Sequence, residues 1–216
     1  QLARANEKSA ALERFNSRAQ SPAMNLDKLN ITDMASVVGR SAFTEGGYRA
    51  GTTVLLDNQS LGGRIGYLVY TAYRIAKTDL HILVNRGWIA ALPDPRRLPD
   101  LGPEPIDSAV SGRLSNPPSV GIRLQGAEIA EPMGDGVWRV QRIDFPVLAK
   151  LFDVEIIGAT LLLDNAMPNG FIRNWTPPGA DQARHLAYAF QWFAMALAVF
   201  VISVGLFVRS QRRTQT

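Results

Sequence analysis

The sequence predicts a membrane protein: a mainly antiparallel β extracytoplasmic domain, barrel- or sandwich-like with one or two short helices, plus transmembrane α-helices. Two observations predict this fold class. A long uncharged stretch lies near the C-terminus, and a series of short apolar runs, separated by glycine and turn residues, precedes it. Short strands with many turns suit a barrel and a sandwich equally well, so both architectures stay open.

The uncharged stretch runs from Leu186 to Val208 and contains only Gln191 and Ser203 as clearly polar residues. A helix of this length rises about 34 Å, which is enough to cross a hydrocarbon core of about 30 Å. The alternative, a buried helix of a soluble fold, would normally be shorter and would show a polar stripe. We therefore predict a transmembrane helix over residues 185–208.

Three arginines, Arg209, Arg212 and Arg213, follow this stretch directly, and basic residues that flank a span stay on the cytoplasmic side. Residues 209–216 are therefore predicted to be a cytoplasmic tail. The preceding domain is predicted to be periplasmic, at the inner membrane of a bacterium. Without these three arginines the net charge of +4 falls to +1, and no clustered basic face remains for nucleic acid.

Residues 1–20 read as a helix, because alanine, leucine, glutamate and arginine dominate them. The chain starts at Gln1 rather than at methionine, and an exported domain needs a signal or a membrane anchor before it. We therefore expect residues 1–20 to follow a first transmembrane helix that is missing from this sequence.

Residues 32–180 are predicted to form one β-rich extracytoplasmic domain. Its early strands are expected near Phe43–Arg49, Thr52–Leu56, Gly66–Ile75 and His81–Ala90. The proline-rich stretch 93–105 is predicted to be an irregular surface loop, since proline cannot donate to a ladder. A short helix is expected after Asp144, which is a good N-cap residue.

The sequence contains no catalytic motif, so we predict that the protein is not an enzyme. There are no cysteines, which excludes thiolate metal sites and a cysteine nucleophile. The only histidines are His81 and His185. His81 is expected to be a surface residue beside a turn.

The stretch "LVNRGW" combines a buried strand with Asn85, Arg86, Gly87 and Trp88. Gly87 is expected at positive φ or under a close backbone approach. Arg86 would lie in the domain interior paired to a carboxylate, or the segment is simply a strand with a bulge and a core tryptophan. From the residues alone the second interpretation is favoured.

His185 stands at the domain-side end of the uncharged stretch, and Tyr188, Trp192 and Met195 share its helical face. Tyr188 and Trp192 would serve equally well as an interfacial aromatic belt. The imidazole itself could be a haem iron ligand, a hydrogen-bond partner of a neighbouring helix, or a solvated group.

Four blocks carry a resemblance to a known family: "QLARANEK", "GYLVYTAYR", "ILVNRGWI" and "RHLAYAFQWFAMA". In order and content they resemble the Surfeit locus protein one (Shy) family, the assembly factors of cytochrome c oxidase. The likeness spans nearly the whole chain. The "VNRGW" block, Asn85 to Trp88, and the terminal His-x-x-Tyr-Ala-x-Gln-Trp-Phe block are its most specific parts.

The resemblance implies a protein that helps haem a insertion into the catalytic subunit of a haem–copper terminal oxidase. Its implied partners are that subunit, haem a synthase and membrane lipid. His185 matches the histidine proposed to hold the haem iron, Tyr188, Gln191 and Trp192 would shape the same face, and Arg184 or Arg173 would pair with a haem propionate. The alternative is a stably bound accessory or scaffold subunit of an oxidase complex that binds no haem.

Overall fold

A computed structural model of the chain describes residues 21–28, 34–103, 105, 109–118, 130–175, 190–200 and 202–203. The chain divides into two compact units. One unit is Glu13–Trp175, and the other combines residues 1–12 with 176–216. The predicted helix over residues 1–20 and the predicted tail 209–216 lie outside the described residues.

The first unit is a mixed nine-stranded β-sheet with the strand order β1-β2-β6-β9-β5-β4-β3-β8-β7. The strands are β1 (Met24–Asn25), β2 (Ser41–Thr44), β3 (Gly46–Leu61), β4 (Arg64–Ile75), β5 (Leu80–Ala90), β6 (Val110–Ser115), β7 (Glu131–Gly134), β8 (Val137–Val140) and β9 (Glu155–Leu163). Two short α-helices, α1 (Met34–Val37) and α2 (Phe145–Phe152), and a 3-10 turn at Leu26–Lys28 complete the elements described in this unit.

The prediction of a mainly antiparallel barrel or sandwich is wrong, because the strands form one mixed sheet. The pairs β1–β2, β3–β8 and β5–β9 are parallel. A parallel pair needs a long crossover connection, and strand β8 lies beside β3 although paired residues such as Thr53 and Val137 are far apart in the sequence. Short apolar runs carry no information on strand direction, which is why the sequence pattern missed these pairs.

The predicted transmembrane helices are also not borne out: within the described ranges, no helix is both long enough and apolar enough to cross a membrane. Of the predicted span 185–208, the structure describes residues 190–200 and 202–203, and these are helical.

The sheet buries apolar side chains on both faces, as the alternation along β4 shows. On the first face, Tyr67 and Val69 belong to one cluster, and Tyr73 and Ile75 belong to another. On the opposite face, which we call the α2 face, Tyr70 and Ala72 pack in a cluster with Leu148 and Phe152 of helix α2. Helix α2 therefore covers one side of the sheet's centre.

Helix α2 begins where the sequence predicts. The side chain of Asp144 accepts a hydrogen bond from the backbone N–H of Val147 at 3.3 Å, and a proline stands in the first turn. The helix ends at Phe152, and the C-cap residue Asp153 adopts a left-handed conformation with φ 52°. The N-cap prediction is confirmed, and the cap fixes where the helix meets the α2 face.

Candidate functional site

Strand β5 carries a β-bulge at the motif residues. Val69 of β4 pairs with Gly87 and Tyr70 pairs with Asn85, so Arg86 has no opposite residue in β4. Gly87 has φ 120°, a conformation that other residues rarely adopt. Because a bulge redirects the side chain of its extra residue, Arg86 departs from the regular alternation of the strand.

The guanidinium of Arg86 is buried, with 4% of the residue exposed. Its Nε donates a hydrogen bond to the carbonyl oxygen of Asn169 at 2.7 Å, and its Nη1 lies 3.4 Å from the hydroxyl of Thr71. The guanidinium carbon lies 5.0 Å from the ring centre of Phe171 and 5.8 Å from that of Tyr48. Arg86 thus ties strands β3 and β4 to the segment around residues 169–171.

Gly87 allows the same segment to approach the bulge. A Cβ atom at this position would lie 2.8 Å from the carbonyl oxygen of Ile172 and 3.0 Å from the carbonyl carbon of Phe171. The backbone N–H of Trp88 donates to the Ile172 oxygen at 2.8 Å, and that of Phe171 donates to the Arg86 oxygen at 2.7 Å. Both sequence expectations for Gly87, a positive φ and a close backbone approach, are confirmed.

The other two motif residues, Asn85 and Trp88, are also buried in the interior. The side-chain oxygen of Asn85 accepts a hydrogen bond from the N–H of Gly87 at 3.1 Å, which supports the bulge from within. Trp88 is 6% exposed, and its indole N–H donates to the carbonyl oxygen of Gln59 at 2.9 Å. The interpretation as a strand with a bulge and a core tryptophan is therefore confirmed, and Arg86 is interior as well.

Polar groups that the sequence did not single out surround Arg86 on the first face. The hydroxyls of Thr53 and Thr71 lie 3.2 Å apart, and both residues are buried. Burial raises the pKa of the Tyr48 phenol to about 12, although the positive charges of Arg86 and Arg173 act in the opposite direction. These residues are distant from the motif in sequence, so only the folded sheet assembles them.

A small cavity of about 260 Å³ opens beside this polar cluster. Thr53 and Arg86 line its inner side, and the loop from Leu98 to Pro103 lines another. The predicted proline-rich loop is thus irregular, as expected, and it lies against the sheet. An arginine side chain keeps its proton at all physiological pH values, so it can orient or neutralise a group here but cannot serve as an acid or base.

The second predicted set lies mainly beyond the described ranges. Arg184, His185 and Tyr188 are outside the described residues. Gln191 and Trp192 are in the helical stretch 190–200, and both are exposed, Trp192 to 69%. The assignment of this set to a cofactor therefore stays a prediction.

His81 lies in strand β5, and the expectation of a surface residue is wrong because only 5% of it is exposed. Its ring Nδ1 lies 3.1 Å from the carbonyl oxygen of Asp79. Burial is the main reason that its pKa is lowered, and the nearby charges of Arg49 and Arg74 add to this. Across the ranges that the structure describes, no three histidine, cysteine, aspartate or glutamate residues are grouped to hold a metal ion.

Taken with the fold, the motif defines a mixed β-sheet domain in which a buried arginine and its neighbours hold strands and a loop together. The chain belongs to the SURF1 family, whose sequence model matches residues 1–197. The resemblance seen in the four sequence blocks is thereby confirmed. The family is generally associated with cytochrome oxidase assembly and with membranes, and its members are assembly factors. No curated protein sequence is matched by the chain.

Proposed function

We propose that this protein assists haem a insertion into the catalytic subunit of a haem–copper terminal oxidase, with its β-sheet domain on the periplasmic side of the inner membrane. The observation that carries the proposal is the extent of the family match. It continues past the sheet domain to residue 197 and so includes His185 and the residues that follow it. In this proposal the protein holds haem and releases it, so no covalent bond of the haem macrocycle is made or broken.

The residues of the chain fit a haem whose iron a histidine would hold. Cysteine is absent, and His81 is buried in the sheet beside a carbonyl, which leaves His185 as the imidazole for the iron. Among the described helical residues, Trp192 stands seven positions after His185, on the same helical face, and it is 69% exposed, so its ring suits contact with an apolar macrocycle. Tyr188 and Gln191 would complete this face.

Arg184 is the better candidate for pairing with a haem propionate. The alternative, Arg173, already donates from Nη1 to the carbonyl oxygens of Asp164 and Met167, at 2.6 and 2.8 Å. Its Nη2 donates to the carbonyl oxygen of Asn165 at 3.0 Å. Arg173 therefore holds its own loop together, and pairing with a propionate would break these bonds.

The experiment compares wild type with His185→Ala, each purified in detergent from cells that make haem a. The absorption spectrum reports bound haem, and the amount of co-purified oxidase catalytic subunit and haem a synthase reports the partners. Externally added imidazole should restore the haem spectrum of His185→Ala, which separates a lost ligand from a misfolded protein.

Haem in the wild type, its loss in the variant and its return with imidazole support the proposal. A wild type without haem, together with oxidase subunits in a fixed ratio, would instead favour the stably bound accessory subunit. Equal haem content in wild type and variant would remove His185 as the ligand.

A further inference from the structure

An open groove runs along the α2 face between helix α2 and the first half of strand β9. Its volume is about 850 Å³. The walls are mainly apolar and come from Phe145, Pro146, Ala149, Val154 and Ile156. We call this feature the α2–β9 groove. It is separate from the Arg86 cluster, which lies on the other face of the sheet.

Gly158 lies on this groove, in the interior of strand β9, where the pairing of β5 with β9 shifts register between His81/Ile156 and Leu83/Thr160. A Cβ atom built on it would meet no atom within 4 Å, and its φ lies outside the left-handed region that favours glycine. The glycines inside β4 and β6 differ. At Gly66 and Gly112 a Cβ atom would lie 2.1 Å from the carbonyl oxygens of Ile89 and Leu162.

A glycine inside a strand costs about 0.5–1 kcal/mol relative to alanine. Such a glycine often marks a bulge or a place where a ligand or another backbone approaches closely. The register shift at this position does not itself require glycine, because φ of Gly158 lies outside the left-handed region and a Cβ atom would find open space. The bare backbone therefore leaves room for an approach from outside the chain.

Negatively charged groups are clustered at one end of the groove. Asp153 and Glu155 are exposed there, and Lys150 is the one basic residue among those that line the groove. The last carbonyl groups of helix α2 point toward the same end, because the helix ends at Phe152. The partial negative charge of a helix C-terminus adds to that of the two carboxylates.

From these observations we propose that the α2–β9 groove binds a short apolar segment of a partner polypeptide, with a lysine or arginine of that segment beside Asp153 and Glu155. The apolar walls would bury the segment, Gly158 would let its backbone come close, and the carboxylates would fix its direction. In identifying the partner as the oxidase catalytic subunit, this inference rests on the proposed function.

The test places a photo-cross-linking amino acid, benzoylphenylalanine, at Lys150 of the full-length chain in its native membranes. The same amino acid at Ser60, which is exposed on strand β3, serves as the control. Mass spectrometry identifies the cross-linked peptide. We expect an apolar segment with an adjacent lysine or arginine, captured at Lys150 and not at Ser60.

A second variant, Gly158→Val, fills the groove without harming the fold. Valine suits a strand and finds open space here, so the melting temperature should stay the same or rise. Cross-linking from Lys150 should nevertheless fall about tenfold, which corresponds to about 1.4 kcal/mol. Ser60→Val is the matched control and should leave cross-linking unchanged. Asp153→Asn with Glu155→Gln should reduce cross-linking and its dependence on salt.

The outcomes separate this inference from the proposed function. Capture of the oxidase catalytic subunit, reduced by Gly158→Val, supports both. Capture of a segment of the same chemistry from another protein supports the groove and counts against the proposed function. If Lys150 captures only lipid, or no more than Ser60 does, the groove proposal is wrong even when the oxidase subunit still co-purifies with the protein.

Discussion

Substitution of Gly87 by alanine should destabilise the protein far more than its single added methyl group implies. At φ 120° a residue other than glycine pays about 1–3 kcal/mol in backbone strain. The new Cβ atom would also lie 2.8 Å from the Ile172 oxygen, so the segment of Phe171 and Ile172 must move. That movement weakens two backbone hydrogen bonds, each with a net value of about 1 kcal/mol.

The sum is a loss of about 3–5 kcal/mol in the free energy of unfolding. For a domain of this size each kcal/mol shifts the melting temperature by about 2–4 °C, so we expect a fall of about 6–20 °C. Urea unfolding followed by tryptophan fluorescence measures the free energy, and Trp88 is a suitable reporter because it lies next to the substitution.

The matched control is Gly62→Ala in the turn between β3 and β4. Gly62 also has a positive φ, 58°, but a Cβ atom there would meet nothing within 4 Å. Alanine at this position should cost only about 1–2 kcal/mol, from backbone strain alone. Equal losses for the two variants would refute the reasoning, because the close approach of Ile172 would then contribute nothing.

Three further predictions concern the same domain. Arg86→Lys should lower the free energy of unfolding in urea by about 2–3 kcal/mol, because lysine lacks the planar guanidinium that stacks on Phe171 and donates from Nε; an unchanged midpoint would contradict this. Stability should fall as the pH rises from 10 towards 12, because the Tyr48 phenol ionises near 10 when unfolded and near 12 when folded. Tyr48→Phe should lose less stability over that pH interval, and thermal unfolding at several pH values would show it. Asp144→Ala should cost about 1 kcal/mol through loss of the α2 N-cap, whereas Asp144→Asn should be nearly neutral in urea unfolding.

The parts of the fold that were predicted correctly depend on local chemistry. Asp144 is followed by a helical pattern with a proline at its second position, and the helix begins at Phe145. Strands β4 and β5 were also placed correctly, since each is a long apolar run bounded by turn residues. Strand β3 was divided into two at Gly51, and the first predicted part, Phe43–Arg49, also included residues of β2. In the structure Gly51 lies in one strand, within a register irregularity between Tyr48 and Thr53.

What the sequence missed depends on residues that are far apart along the chain. Direction in a strand pair is decided by the connection, so the parallel pairs β3–β8 and β5–β9 left no local pattern. The residues around Arg86 could not be predicted for the same reason. Gly87 indicated an unusual backbone conformation, but no residue near it in the sequence indicated that Thr71 and Phe171 would contact the guanidinium.

The motif Asn85–Trp88 and the exposed surfaces have different roles. A guanidinium that stays protonated and is held by a carbonyl, a hydroxyl and two aromatic rings is suited to joining strands, and the same is true of an indole bonded to Gln59. The exposed aromatic residues at 190–193 and the exposed backbone of Gly158 in the α2–β9 groove have no comparable structural role within the described part of the chain. Substitutions at Arg86 or Trp88 should therefore reduce the amount of folded protein, whereas those at Trp192 or Gly158 should change what a constant amount of protein binds.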